Sequence, residues 1–263
     1  MNVERPLALV TGASGGIGEA LARSLAAKGH DLMLVARSER KLQALADELQ
    51  RTQNISARIM MADLGIPGAG HALAKRLAHD NVLVDVLVNN AGFADFGTFH
   101  EADAAKLDSM ISLNIATLTE LMHDLLPIMV RRKRGRILNV ASTAAFFPGP
   151  LMAVYYATKA YVLSISEAVG EELKGTGVTV TALCPGPTAS GFQAAAAMED
   201  SKLVKGRKIP SAQSVADNAV KALMAGKPII VTGWKNKLNV LSPRFLPRRM
   251  VPGIVKKAQS ANH

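Results

Sequence analysis

The chain has 263 residues, half of them apolar, a formal net charge of +10 and one cysteine. That length suits one large α/β domain, while the lone Cys184 excludes an internal disulfide framework and argues against a thiolate metal cluster. No run approaches about 20 uninterrupted apolar residues, and Glu4 and Arg5 lead straight into a glycine segment rather than a signal peptide, so a soluble, cytoplasmic protein is expected.

Short β-type runs fall at 7–11 (LALVT), 32–36, 55–61, 84–88, 136–141, 178–183 and 228–232. Helix-periodic stretches lie between them, at 17–28, 38–51, 67–79, 101–130, 153–174 and 212–225. Nearly continuous apolar strands alternating with amphipathic helices predict a parallel sheet covered on both faces. Right-handed crossovers then give a doubly wound, Rossmann-like α/β fold. No repeat or low-complexity linker divides residues 1–263, which read as a single domain. Two segments break the rhythm. Residues 187–211 form a long insertion after the sixth strand, and such connections tend to carry function. From Gly233 to His263 the chain is basic, with Pro243, Pro247 and Pro252 preventing a continuous helix.

The first strand ends in TGASGGIG, residues 11–18. Gly12 permits a sharp turn, and Gly16 and Gly18 let the backbone approach a ligand and pack helix on strand. Ser14 and Ile17 belong to the same loop, and a helix starting near Ile17 would aim its unpaired N–H groups at a phosphate. The spacing points to a dinucleotide site. The six histidines are scattered, with no His-x-x-x-His pair, so no metal site is expected.

With this loop go NNAG at Asn89–Gly92 after the fourth strand, Asn114 in the next helix, Ser142 closing the fifth strand, YYATK with Tyr155 and Lys159, and PGP at Pro185–Pro187 after the sixth. In this order, over about residues 5–232, the motifs resemble those of the short-chain dehydrogenase/reductase family. The resemblance implies an oxidoreductase in which Asp63 and Leu64 contact the adenine, Asn90 lies beside the adenosine ribose, and Pro185, Gly186 and Thr188 flank the nicotinamide. It gives Lys159 the nicotinamide ribose hydroxyls, Asn114 a water in a proton relay, and 187–211 the role of substrate lid. It also implies a homodimer or homotetramer, formed through the helices at 101–130 and 153–174.

Cofactor choice in dinucleotide folds is made at the end of the second strand, where an acid binds a ribose 2′-hydroxyl and an Arg a 2′-phosphate. Here Ala36 stands in the acid's place and Arg37 follows. The planar guanidinium fork suits phosphate, so NADP(H) is expected; Arg40 is a weaker helper that the helix turns outward. Tyr155 and Lys159, four apart, share one helix face. The lysine cation and a positive nicotinamide would lower the phenol's pKa, letting Tyr155 exchange a proton with a carbonyl or hydroxyl oxygen that Ser142 also hydrogen-bonds. Tyr156 reads as packing and Cys184 as a small buried apolar side chain.

Phe192, Met198 and Leu203 in the lid, with Phe93, Phe96, Phe146, Phe147 and Met152, suggest an apolar ketone, aldehyde or ketoacyl substrate, or the corresponding alcohol. Two alternatives stand beside this reading: an NAD(H)-dependent alcohol dehydrogenase and a non-catalytic cofactor-binding scaffold. The basic clusters at Arg131–Arg136 and Lys235–Lys257 read as a solvated helix end and a basic tail. No nucleic-acid motif accompanies them, so nucleic acid is not an expected partner. The tail's mixture of cations with Leu, Phe, Val and Met suits peripheral membrane contact or a subunit interface.

Overall fold

Strand β1 (Leu7–Thr11) is buried at all five positions, so both of its faces need cover. The pleat divides them: Ala8 and Val10 join one core cluster, Leu7 and Leu9 the other. The same alternation runs through β2 (Asp31–Ala36), whose Leu32 and Leu34 face the first cluster and Met33 and Val35 the second. The computed structural model describes residues 5–191 and 209–259. It adds β3 (Ala57–Met61), β4 (Val86–Asn89), β5 (Gly135–Val140), β6 (Val178–Cys184) and β7 (Ile229–Val231), giving one sheet in the order β3-β2-β1-β4-β5-β6-β7. All neighbouring pairs are parallel.

Helices α1 (Gly16–Ala26), α2 (Glu39–Gln53) and α7 (Ala212–Met224) cover one face, while α3 (Ala69–His79), α5 (Leu118–Arg131) and α6 (Ala153–Glu172) cover the other. Fully buried leucines such as Leu21, Leu25, Leu87 and Leu121 anchor these layers, each worth about 2–3 kcal/mol relative to exposure. Because β2 and β4 flank β1 while the chain runs outward on both sides, strand order reverses between β1 and β4. A crevice opens there, beyond the carboxyl ends of the strands. At the opposite edge, Asp85 accepts a hydrogen bond from Leu7 N (3.0 Å) and pairs with Arg132 (2.7 Å) and Arg134 (3.0 Å). Two cations of the 131–136 cluster are thus tied to a nearly buried carboxylate at the base of the sheet.

Three differences from the sequence reading matter. The single helix expected at 101–130 is interrupted: α4 (Ala104–Ile111), capped by Asp103, meets α5 through a wide π-turn at Ser112–Thr117 that contains Asn114. Such turns displace one residue from the α-helical stack and recur at functional sites. The tail forms two further helices, α8 (Trp234–Leu241) and α9 (Val251–Gln259); Pro252 sits in the first turn of α9, where a missing N–H costs nothing. The insertion at 187–211 is pinned at its base, where Ala189 bridges Ser211 and Ala189 N donates to Pro210 O (2.9 Å). Its Phe192, Met198 and Leu203 lie outside the described residues. Among the described residues, no helix is long and apolar enough to cross a membrane.

Candidate active site

A cavity of about 1080 Å³ fills the crevice, running from Arg37 past the glycine loop to Tyr155 and on to Gln259. Its near wall is the loop between β1 and α1. Gly12 has φ +66°, a left-handed conformation in which a side chain is strained. A methyl group added at Gly18 would lie 2.2 Å from Gly12 O and 2.4 Å from Asn90 Nδ2, so glycine there is a packing requirement. Gly12, Ser14, Gly16 and Ile17 line the cavity; Gly18 does not, because it supports the loop from behind. No side chain caps the start of α1, which leaves its first-turn N–H groups to the cavity. Asn90 lines the cavity and also holds the loop down, donating from Nδ2 to Thr11 O (2.9 Å).

At one end, the C-terminus of β2 presents Arg37 and, from the first turn of α2, Lys41, both exposed and both lining the cavity. Arg40 is not part of the wall. Lys41 is the cation that the sequence reading missed; it stands in the first turn of α2, just after the strand end that carries Arg37. Asp63 and Leu64, after β3, complete this end; Asp63 Oδ1 accepts from Gly65 N (2.9 Å) and holds the turn.

At the other end, Ser142, Tyr155 and Lys159 converge from β5 and α6, with Pro185, Gly186 and Thr188 beside them. Tyr155 and Lys159 are almost completely buried. Lys159 Nζ donates to Val140 O (2.7 Å) and lies 5.7 Å from the centre of the Tyr155 ring. The Ser142 hydroxyl shares a hydrogen bond with the Tyr155 phenol and accepts from Ala144 N (3.1 Å). Here the expectation of a lowered phenol pKa is corrected. Burial pushes Tyr155 up to about 12, against the smaller opposing effect of Ser142, and it pushes Lys159 down to about 8. Within the protein's own residues desolvation dominates both shifts, and the resting pair at neutral pH is a phenol beside an ammonium.

Asn114 stands one layer behind the cavity. Its two amide hydrogens go to Phe93 O (3.0 Å) and Thr158 Oγ1 (3.1 Å), and its Oδ1 accepts from Phe93 N (3.2 Å). It therefore clamps the loop after β4 to α6. Phe93, Phe147 and Met152 line the reaction end, and Phe96 packs with them. Phe146 does not: it packs against the sheet core. Cys184 is fully buried with its thiol pushed up to about 12, as a core residue.

The far wall comes from the tail. Asn236 and Asn239 of α8 and Val251, Val255 and Gln259 of α9 face the cavity. A methyl added at Gly186 would meet Asn236 Nδ2 at 2.4 Å, and Gln259 Nε2 donates to Tyr156 OH (2.5 Å). Sequence reasoning missed this roof. The apolar spacing Val251–Val255, continued by Gln259 at i+8, was the available clue.

An elongated cavity with glycine-loop amides at its middle, two cations at one end and a buried Ser–Tyr–Lys group at the other fits a dinucleotide next to a small substrate. Known proteins agree. Residues 6–200 match the short chain dehydrogenase family. An uncharacterized oxidoreductase of Staphylococcus epidermidis is 33% identical over 226 residues, 84% of this chain and 92% of the relative. The human inactive hydroxysteroid dehydrogenase-like protein 1 is also 33% identical, over 91% of this chain and 72% of its own length. A short-chain dehydrogenase from Sphingobium yanoikuyae, solved in complex with NADPH, superposes with a TM-score of 0.81 at 31% identity, covering 98% of this chain and 99% of that one. A bulky-bulky ketone specific alcohol dehydrogenase from Comamonas testosteroni superposes with a TM-score of 0.77 at 26% identity, covering 98% and 96%. With the glycine loop, the Ser–Tyr–Lys group and the parallel sheet in one frame, the chain belongs to the short-chain dehydrogenase/reductase family of NAD(P)-dependent oxidoreductases.

Proposed function

We propose that the protein is an NADP(H)-dependent carbonyl reductase acting, reversibly, on an apolar ketone, aldehyde or ketoacyl substrate. The observation that carries this is the continuity of one cavity from Arg37 and Lys41 to Ser142, Tyr155 and Lys159. The two cations, with Ala36 where an acid would select NAD(H), would hold a 2′-phosphate. The glycine loop and the start of α1 would hold the diphosphate, Asp63 and Leu64 the adenine, and Lys159 and Thr188 the nicotinamide end. When bound, the dinucleotide supplies or accepts the hydride.

The protein's own residues handle the proton. Tyr155, a phenol at neutral pH, donates to the carbonyl oxygen as negative charge develops there, and Ser142 hydrogen-bonds the same oxygen. The Lys159 ammonium stabilises the phenolate left behind. Phe93, Phe147, Met152 and the inner face of α9 supply apolar walls and exclude water. The Sphingobium relative's bound NADPH and the ketone specificity of the Comamonas enzyme point the same way.

The relative named as inactive keeps a second reading in view, a cofactor-binding scaffold without turnover. Calorimetric titration with NADPH and NADH, followed by NADPH consumption over a panel of apolar ketones, separates the readings. Tighter NADPH binding with consumption supports the reductase. Binding without consumption across the panel favours the scaffold, and equal or tighter NADH binding removes the cofactor assignment.

A further inference from the structure

The roof of the cavity has an outer side as well as an inner one. Of the twelve large hydrophobic side chains exposed among the described residues, seven lie between Trp234 and Ile254, and two of these, Leu246 and Ile254, also line the cavity and so mark its opening on this side. Residues 233–263 carry seven cations and no aspartate or glutamate, so this eighth of the chain holds seven of its ten net positive charges. Helix α8 shows how the two sides are kept apart. At about 100° per residue, Trp234, Leu238 and Leu241 form one stripe, and Asn236, Asn239 and the buried Val240 point the opposite way, toward the cavity and core. Lys235 and Lys237 flank the stripe on either side, Lys235 with its ammonium 5.7 Å from the Trp234 ring centre. The turns that follow expose Phe245 (84%) and Met250 (50%) among Arg244, Arg248 and Arg249. On α9, Val251, Val255 and Gln259 face inward while Lys256 and Lys257 take the outer side.

We propose that the outer face of α8, α9 and the turns between them docks the protein on an anionic lipid surface, placing the mouth of the cavity against the bilayer so that an apolar substrate enters from the lipid. An interfacial helix combines a narrow apolar stripe with flanking cations and low overall hydrophobicity, and this face has that pattern. Two signals together, apolar side chains and a polybasic cluster, are what stable attachment needs. A second copy of the chain is the poorer occupant. A two-fold interface would set this acid-free cationic face against itself, and like charges brought together oppose association. Substrate entry from lipid rests on the reductase reading above. The docking does not, because its readout involves no turnover.

Trp234 is the only tryptophan, so tryptophan emission, excited beyond the tyrosine absorption, reports on this face alone. The full-length protein is mixed with vesicles of phosphatidylcholine, or of phosphatidylcholine with phosphatidylglycerol, and followed by flotation and by Trp234 emission. With the anionic vesicles the protein floats, and the emission shifts to the blue and is quenched by bromine-labelled acyl chains. Raising salt weakens the association. Arg248→Glu with Arg249→Glu lowers partitioning by at least thirtyfold, since each cation near such a surface is worth about fivefold. Phe245→Ser also lowers partitioning but retains the salt dependence. Both variants leave NADPH binding intact, which controls for folding, as neither site lines the cavity. Unchanged emission and no flotation with anionic vesicles overturns the proposal. So does a blue shift that grows with protein concentration in the absence of lipid, with a doubling of mass in sedimentation, which would make the occupant a second copy.

Discussion

At one end of the cavity Arg37 and Lys41 stand in solvent on the rim of β2 and α2, whereas at the other Tyr155 and Lys159 are sealed almost completely from it. Exposed cations hold a ligand by attraction that water and salt screen. In the proposed reading they select the nucleotide without touching the reacting bond. Buried groups pay in desolvation for every charge they carry, which moves the Tyr155 phenol up to about 12 and the Lys159 ammonium down to about 8. On that reading selection and chemistry occupy opposite ends of one space, under opposite dielectric conditions, and substitutions at the two ends should fail in different ways.

The largest expected effect is at the buried end. Tyr155→Phe removes only the hydroxyl, the proposed proton donor to the substrate oxygen. Its loss should lower kcat by about a thousandfold, within the usual range for a positioned acid, while calorimetry finds NADPH affinity within about twofold of the wild type. Retained turnover would break the assignment of the proton to Tyr155. Parallel loss of kcat and affinity would show that the two ends are not separable.

Lys159→Met tests the desolvation directly. A lysine held at about 8 in the fold, against an ordinary value near 10.5, binds fewer protons than the unfolded chain between those pH values. Its cost, roughly 3 kcal/mol by the size of the shift, is therefore present in full below pH 8 and is relieved as pH rises toward 10.5. Methionine removes that cost but also the 2.7 Å charge-assisted bond to Val140 O, worth about 2 kcal/mol. Thermal unfolding should show the variant about 2–4 °C more stable at pH 7, with the gap closing by pH 10. A variant less stable across this range would contradict the buried-charge account.

Arg37→Ala probes the exposed end, and its effect is smaller because solvent already screens the charge. NADPH binding should weaken by about tenfold at low salt and less at high salt, with NADH binding and kcat unaltered. Lys41→Ala should add a further, smaller loss. Equal weakening of both nucleotides would mean that the arginine holds something other than the 2′-phosphate.

How much of this was legible in the sequence follows the range of the interactions. The glycine loop, the alternation of β1 and β2 and the Tyr155–Lys159 pairing depend on residues a few positions apart, and each was readable. Lys41 was readable in principle as a cation in the first helical turn after the strand end that carries Arg37. The π-turn around Asn114 was not, because a single displaced residue leaves no mark in apolar periodicity. The direction of the Tyr155 shift was misread because pairing can be seen in a sequence and desolvation cannot. The roof was missed for a related reason: Gly186 meets Asn236 and Tyr156 meets Gln259 only across folded distance. In composition the same residues look like a solvated basic tail, which describes only their outer side.

That roof supplies the smallest predicted effect, and the one that ties the tail to the buried end. Tyr156 turns away from the reacting group, packs edge-on to Tyr155 with ring centres 6.1 Å apart, and supports Gly149, where an added methyl would lie 2.2 Å from its ring. Its hydroxyl is the point at which Gln259 fastens α9 over the cavity. Tyr156→Phe keeps the ring and the packing but releases that fastening, which is worth about 1 kcal/mol. With α9 less firmly held, KM for an apolar ketone should rise about threefold to fivefold, while kcat and NADPH affinity stay the same. A residue serving the core alone would lower the melting temperature and leave KM where it was. Adding Gln259→Met to the Tyr156→Phe variant should restore part of the lost KM, because an apolar side chain can pack against the unhydroxylated ring. A fall in kcat instead would place Tyr156 in the chemistry rather than in the wall.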